Sequence, residues 1–209
     1  KNSGAILNIV CLDLEGVLVP EIWIEFAERT GIDALRATTR DVPDYDVLMR
    51  QRLRILQEHK LGLPDIQKVI ATMAPMAGAK DFLDWVRSEF QLVILSDTFY
   101  EFAMPLMRQL GHPTLMCHRL STDARGFVSD YHLRQKDQKR MAVKAFHSLN
   151  YKVIAAGDSY NDTGMLSEAD AGFFFCPPDN IIAEFPQFKV VRDYQALQRV
   201  ISDTQQGFK

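Results

Sequence analysis

Two short acidic stretches stand out because each directly follows an apolar run. Asp13-Leu14-Glu15-Gly16 follows Ile6 to Leu12, and Gly157-Asp158-Ser159-Tyr160-Asn161-Asp162 follows Lys152 to Ala156. In an extended chain, residues i and i+2 point the same way, so Asp13 and Glu15 share one side of a tight turn. Two carboxylates held there repel unless a cation lies between them. Magnesium, a hard ion with oxygen ligands, answers that need. One acid could then act as nucleophile and the other as general acid and base; the alternative is a pair of solvated turn acids. Asp158 extends the acidic set, and Gly157 allows close backbone approach beside it. Asp162, in the first turn of a helix, also suits a capping role, since negative charge is favoured there.

A third apolar run, Leu92 to Leu95, is followed by Ser96-Asp97-Thr98. Ser96 can donate a hydrogen bond to an anion, or be an ordinary turn residue. Lys136 and Lys139 precede the run 152–156, and one of them gains a purpose if a phosphate must be neutralised among so many acids. Residues 45–56, placed on a helix, put Tyr45, Leu48, Met49, Leu53 and Leu56 on one face with Arg52 near its middle, while Arg50 and Arg54 point away. An arginine centred on an apolar stripe is costly unless paired. It is either a snorkelling or salt-bridged side chain or a fork for a substrate carboxylate.

These residues need a scaffold that brings three strand ends together. The buried runs 6–12, 92–95, 152–156 and 171–176 alternate with helical patterns, which predicts an α/β fold with a doubly wound parallel sheet. Ligands in such sheets bind at the carboxyl ends of the strands. A turn at Asp123 to Gly126 before the loosely alternating 127–135 predicts a hairpin. Between residues 20 and 74 the patterns are helical only, with Pro20 near a helix start, Gly31 ending that helix, and further helices over 44–59 and 64–72. At roughly 150 residues per domain, 209 residues make about 1.4 domains, which suits a core carrying an insertion. The division expected is an α/β core of residues 1–17 and 75–209 and a helical cap of residues 18–74. The opening Lys1-Asn2-Ser3-Gly4 has neither Met nor a hydrophobic signal region and is set outside the fold.

Composition excludes several classes. The chain is 47% hydrophobic and 24% charged, the usage of a globular protein rather than of a disordered or fibrous one. With 24 Lys+Arg against 27 Asp+Glu the formal charge is -3, a poor balance for nucleic-acid binding. No stretch approaches the ~18 apolar residues of a membrane helix. Cys11, Cys117 and Cys176 are widely spaced with no CxxC pair, against a zinc or redox motif. All three adjoin apolar runs and read as reduced, buried thiols, which points to the cytoplasm.

Taken together, Asp13-x-Glu15-Gly16-Val17, Ser96, Lys139 and Gly157-Asp158-x-x-x-Asp162 resemble the four motifs of the haloacid dehalogenase superfamily, in order over about residues 6–175. The helical insertion after the first motif resembles that superfamily's small helical cap. Within it the chain is similar to the phosphoserine phosphatases. The runs Asp13 to Glu21, Leu95 to Phe102 and Ala156 to Thr163 are most similar to the bifunctional phosphoserine phosphatase/homoserine phosphotransferase family.

The resemblance implies an aspartyl-phosphate mechanism that uses Mg2+. Asp13 would attack phosphorus, and Glu15 would protonate the leaving oxygen and then activate the acceptor. Asp13, the Glu15 main-chain carbonyl and Asp158 would hold magnesium, with Asp162 in support. Ser96, Asp97 and Lys139 would bind the phosphoryl group, with Asn161 in contact. Arg52 would hold the substrate carboxylate, Glu21 its ammonium, and Tyr45 would be a cap aromatic. The pattern favours Lys139 over Lys136, and spacing alone leaves both open. The superfamily's usual second acid is Asp; Glu15 is one methylene longer, which shifts the proton-transfer point by about 1.5 Å, and the bifunctional family shares this Glu. The expected partners are the small molecules phosphoserine and homoserine, with no nucleic acid and no membrane, and a homodimer is compatible with them. The alternatives are a phosphatase of the same fold for another small phosphomonoester and a non-catalytic magnesium- or ligand-binding protein.

Overall fold

The computed structural model describes residues 6–208; the opening tetrapeptide Lys1–Gly4 lies outside the described residues. In chain order the elements are β1 (Leu7–Leu12), α1 (Ile22–Thr30), α2 (Tyr45–Glu58), α3 (Leu63–Ala71), α4 (Ala79–Glu89), β2 (Gln91–Phe99) and α5 (Tyr100–Gln109). Then come β3 (Leu115–Thr122), β4 (Val128–His132), α6 (Gln138–Ser148), β5 (Tyr151–Gly157), α7 (Thr163–Glu168), β6 (Ala171–Phe175), α8 (Asp179–Glu184), β7 (Lys189–Val191) and α9 (Tyr194–Gly207).

Seven strands among the described residues form one sheet in the order β4-β3-β2-β1-β5-β6-β7. Every pairing is parallel except the β3–β4 hairpin at one edge. The doubly wound parallel sheet expected from the alternation of runs is therefore present, with one antiparallel edge strand. Period-two alternation decides which helices cover which face. Val10, Leu12, Ile94, Ile154, Ala156, Phe173 and Phe175 share one core with residues of α4, α5 and α9. Ile9, Cys11, Val93, Leu95, Val153, Ala155 and Phe174 share the other with residues of α6, α7 and α8.

The chain leaves β1 toward β2 and β3 on one side and returns to β5 and β6 on the other. This reversal opens a crevice beyond the carboxyl ends of β1, β2 and β5. Register brings the ends level: Leu12 pairs with Ile94 and with Ala156, so Asp13, Ser96 and Asp158 all emerge at that rim.

Among the described residues of the segment 18–74, regular structure is helical: α1, a 3₁₀ turn over Asp33–Arg36, α2 and α3. Asp44 caps α2 by accepting from the Val47 N–H at 3.1 Å, an N-cap interaction worth about 1 kcal/mol. The buried face of α2 is Leu48, Met49, Arg52, Leu53, Ile55 and Leu56, so the helical phase read from the sequence holds. Arg50 does point away from that face, but it spans to the hairpin, with its guanidinium 2.9 Å from Asp130 and over the Tyr131 ring. Tyr131 in turn donates to Asp46 at 2.6 Å.

One expectation is corrected. Cys11 and Cys117 are buried, but Cys176 is exposed. It follows β6 in the left-handed region, with φ 47°, which turns it out of the sheet. Among the described residues no helix is long and apolar enough to cross a membrane.

Candidate active site

Asp13 is delivered by the end of β1, where its N–H donates to the Ala156 carbonyl at 3.0 Å. It is buried, and its Oδ1 accepts the Leu14 N–H at 2.7 Å. The next turn depends on Gly16, which adopts φ 81°, a conformation that disfavours any side chain. A Cβ there would also strike the Asp158 carboxylate. A Cβ on Gly157 would fall on the Asp162 side chain. Gly16 thus lets the two acidic turns close on each other, and Gly157 lets its own turn fold back onto Asp162.

Lys139 sits at the centre of the acids. Its Nζ lies 2.9 Å from Asp13 Oδ1 and 2.7 Å from Asp162 Oδ1, and the residue is only 4% exposed. Burial alone would lower its pKa, but the Asp13, Asp162 and Asp97 carboxylates overcome this and hold the ammonium charged. Lys136 is exposed. Of the two lysines, the structure therefore sets Lys139 among the acids and leaves Lys136 on the surface. Asp137, in the left-handed region at φ 53°, starts α6 so that Gln138 and Lys139 turn inward.

Asp162 is fully buried. Its second oxygen accepts the N–H groups of Asp158 at 2.9 Å and Ser159 at 3.1 Å. It thus organises the 158–162 loop, as its capping position suggested, and also neutralises Lys139. Asp13, Asp158 and Asp162 each bring an oxygen into a set within 4.8 Å of one another. One ammonium cannot balance three carboxylates. Burial and then the neighbouring Asp162 raise Asp13 well above the usual carboxylate range, and the same causes push Asp158 up to about 7. A set of hard oxygen donors with excess negative charge fits magnesium or a similar divalent cation. The Glu15 side chain stands outside that set. Burial, with repulsion from Glu21, pushes its carboxyl up to about 8, against the pull of Lys139 and Arg52. A carboxyl protonated near neutral pH can act as a general acid.

Ser96 is buried, and its Oγ accepts the Thr98 N–H at 3.1 Å, so its own proton remains available to an anion. Asp97 does not offer a phosphate a side-chain donor. Its Oδ1 accepts from Gln138 Nε2 at 2.9 Å and lies 3.4 Å from His118 Nε2, and its Oδ2 accepts from Asn161 at 2.9 Å. Burial would raise its pKa, but the His118 hydrogen bond, the Lys139 charge and the Gln138 and Asn161 donors hold it well below the usual range. A carboxylate so held is an anion, so only the main-chain N–H of Asp97 could serve a phosphoryl oxygen. One N–H of Asn161 is taken by Asp97, which leaves the other for a ligand.

The helical segment adds Arg52, 7% exposed. Nη2 donates to the Ala37 carbonyl at 2.9 Å and Nη1 faces Met49 Sδ at 3.8 Å. Nε is buried without a partner. The guanidinium carbon stacks 4.5 Å from the centre of the Trp23 ring, and Arg52 faces no acid within salt-bridge distance among the described residues. Burial lowers its pKa, and the nearby Tyr45, Glu15 and Glu21 pull it part of the way back. Glu21, just before α1, is exposed and lies near enough to raise both Glu15 and Asp158. Tyr45 packs edge-on against Tyr131, with 5.7 Å between ring centres.

Three residues of this neighbourhood escaped the sequence reading: His118, Gln138 and Trp23. His118 lies midway along β3, level with Phe99 at the end of β2, so a rule that looks just past strand ends does not find it. Gln138 adjoins Lys139 at the inward-facing start of α6. Trp23 carries no such signal, because its role depends on Arg52 lying over it.

Residues 11–167 match the family described as haloacid dehalogenase-like hydrolase. A protein of Pseudomonas aeruginosa named phosphoserine phosphatase ThrH is 68% identical over 193 residues, covering 92% of this chain and 94% of its own. A phosphoserine phosphatase of Pseudomonas syringae is 67% identical over 193 residues, covering 92% of this chain and 81% of its own. Among solved structures, a phospho-aspartyl intermediate analogue of phosphoserine phosphatase superposes with TM-score 0.75 at 17% identity, over 93% of this chain and 99% of that one. That last likeness concerns the fold.

Proposed function

Because the chain belongs to the haloacid dehalogenase-like hydrolase family, we propose that it is a magnesium-dependent phosphoserine phosphatase working through an aspartyl phosphate, with phosphoryl transfer to homoserine as a second activity. Residues 18–74 form the cap that selects the substrate, and the described residues of 1–17 and 75–209 form the catalytic core.

The observation that carries the substrate is Arg52. A guanidinium this buried, with one main-chain acceptor and an orphaned Nε, is a cation awaiting an anion. A carboxylate matches its fork in two parallel hydrogen bonds. A small phosphomonoester bearing a carboxylate a few bonds from phosphorus would bridge Arg52 and the Ser96–Lys139 phosphate site. The names of the two Pseudomonas relatives support phosphoserine as that ester.

Chemistry follows from the order of the acids. The Asp13 carboxylate attacks phosphorus, the bond from phosphorus to the seryl oxygen breaks, and Glu15 gives that oxygen its proton. Water or the homoserine hydroxyl then attacks the phosphoryl group, Glu15 takes the attacking proton, and Asp13 is released. Inorganic phosphate or phosphohomoserine is the second product. Lys139 and the Ser96 hydroxyl meet the charge on the transferred oxygens. Magnesium, when bound by Asp13, the Glu15 main-chain carbonyl and Asp158 with Asp162 behind them, supplies positive charge between two anionic reactants.

The test is product analysis with phosphoserine in magnesium buffer, with and without homoserine. Inorganic phosphate is expected in both, phosphohomoserine only in the second, and neither with Asp13→Asn. Turnover of other small phosphomonoesters but not phosphoserine would overturn the substrate. No turnover across a panel of esters would overturn the enzyme.

A further inference from the structure

Asp97 is a second carboxylate at the mouth of the site, and the phosphatase mechanism does not use its side chain. It directly follows the phosphate-binding Ser96 on β2 and is 45% exposed along its side chain. The surroundings hold it in one orientation. Gln138, 3% exposed, donates Nε2 both to Asp97 Oδ1 and to the Ser96 carbonyl. Gln138 is itself held by Arg134, whose Nη2 donates to its Oε1 at 2.9 Å. His118, 4% exposed, accepts the Arg134 main-chain N–H on Nδ1 at 2.9 Å, so its proton sits on Nε2 and faces Asp97. Asn161 closes the ring from the 158–162 loop.

Oδ1 thus has two neighbours and Oδ2 has one among the described residues, which leaves Oδ2 with capacity for a further donor. No lysine or arginine nitrogen lies within salt-bridge distance of Asp97 among the described residues. A fixed anion with no lysine or arginine in direct contact among the described residues, next to a phosphate subsite, is built for a positive group carried by the substrate.

We propose that the Asp97 side chain is a specificity determinant that receives the ammonium of an amino-bearing phosphomonoester, while His118 and Gln138 act as positioning residues that aim it. This rests on the phosphomonoesterase reading of the site but not on phosphoserine as the substrate. An ammonium carries three N–H donors, and one of them can meet Asp97 Oδ2. The same anion repels a substrate with a second negative group at that place.

The experiment compares two nearly isosteric esters, phosphoethanolamine and n-propyl phosphate, which differ in the ammonium alone. Dissociation constants are measured calorimetrically in magnesium buffer on Asp13→Asn protein, with and without Asp97→Asn. Tighter binding of phosphoethanolamine is expected, and Asp97→Asn should reduce that preference about tenfold, the loss of one charge-assisted hydrogen bond. His118→Gln should reduce it in the same direction but less. Thermal unfolding of each variant shows whether it is folded, and Asp97→Ala serves if the Asn variant is not. No preference in the parent, or an equal weakening of both esters, overturns the proposal. A lost preference together with no turnover of phosphoserine leaves Asp97 in this role and removes the phosphoserine assignment instead.

Discussion

Arg52→Met separates a binding arginine from a structural one, because the two roles predict opposite stabilities. The guanidinium has five N–H donors. Around them lie one carbonyl at 2.9 Å, one thioether sulfur at 3.8 Å and an aromatic face at 4.5 Å, while Nε has nothing. The Ala37 hydrogen bond contributes about 1 kcal/mol and stacking on Trp23 about 1–2 kcal/mol. Against these, an unsatisfied buried polar group costs about 1–3 kcal/mol. The terms nearly cancel, so Met, of similar length and able to fill the same gap, should change the unfolding free energy of the free protein by no more than about 1 kcal/mol. Removing one partner from a buried, hydrogen-bonded charge pair costs binding about 2–5 kcal/mol. For phosphoserine that is about 30-fold to several thousand-fold in kcat/KM. The assays are urea unfolding and steady-state kinetics with phosphoserine and p-nitrophenyl phosphate, which has no carboxylate. The ratio of kcat/KM values, phosphoserine over aryl phosphate, should fall by at least about 30-fold while stability holds. A loss of about 3–5 kcal/mol in stability with an unchanged ratio would mean that Arg52 holds the fold and not the substrate.

Lys139→Met should behave in the opposite way, since it leaves Asp13 and Asp162 buried without their shared cation; a destabilisation of about 3–5 kcal/mol is expected in urea unfolding, and an unfolding midpoint equal to the parent's would contradict that pairing. Magnesium added to EDTA-treated protein should raise the thermal midpoint as a ligand of the folded state. Asp158→Asn should abolish that rise, and an undiminished rise would place the cation elsewhere. Glu15→Asp shortens the reach of the proton carrier by about 1.5 Å and should alter the ratio of phosphohomoserine to inorganic phosphate across a homoserine titration; a constant ratio would separate Glu15 from acceptor activation.

Local sequence carried the scaffold and the rim of the site. Strands buried on both faces are short apolar runs, and the residues just past the end of each run lie by topology at one edge of a parallel sheet. Asp13, Ser96 and Asp158 were legible for that reason, as was Arg52 from the helical period of 45–56. Only the tertiary structure puts Lys139, and not Lys136, among the acids, because that placement turns on the left-handed Asp137 that sets the phase of α6. It also turned Cys176 outward and gave the Asp97 side chain its three donors, His118, Gln138 and Asn161, from three separate elements. The meeting of Arg50 with Asp130 likewise joins α2 to a hairpin far along the chain. Periodicity fixes which side of its own element a residue faces. Which side chain it meets there depends on packing between elements distant in sequence, and a single-sequence pattern contains no term for that.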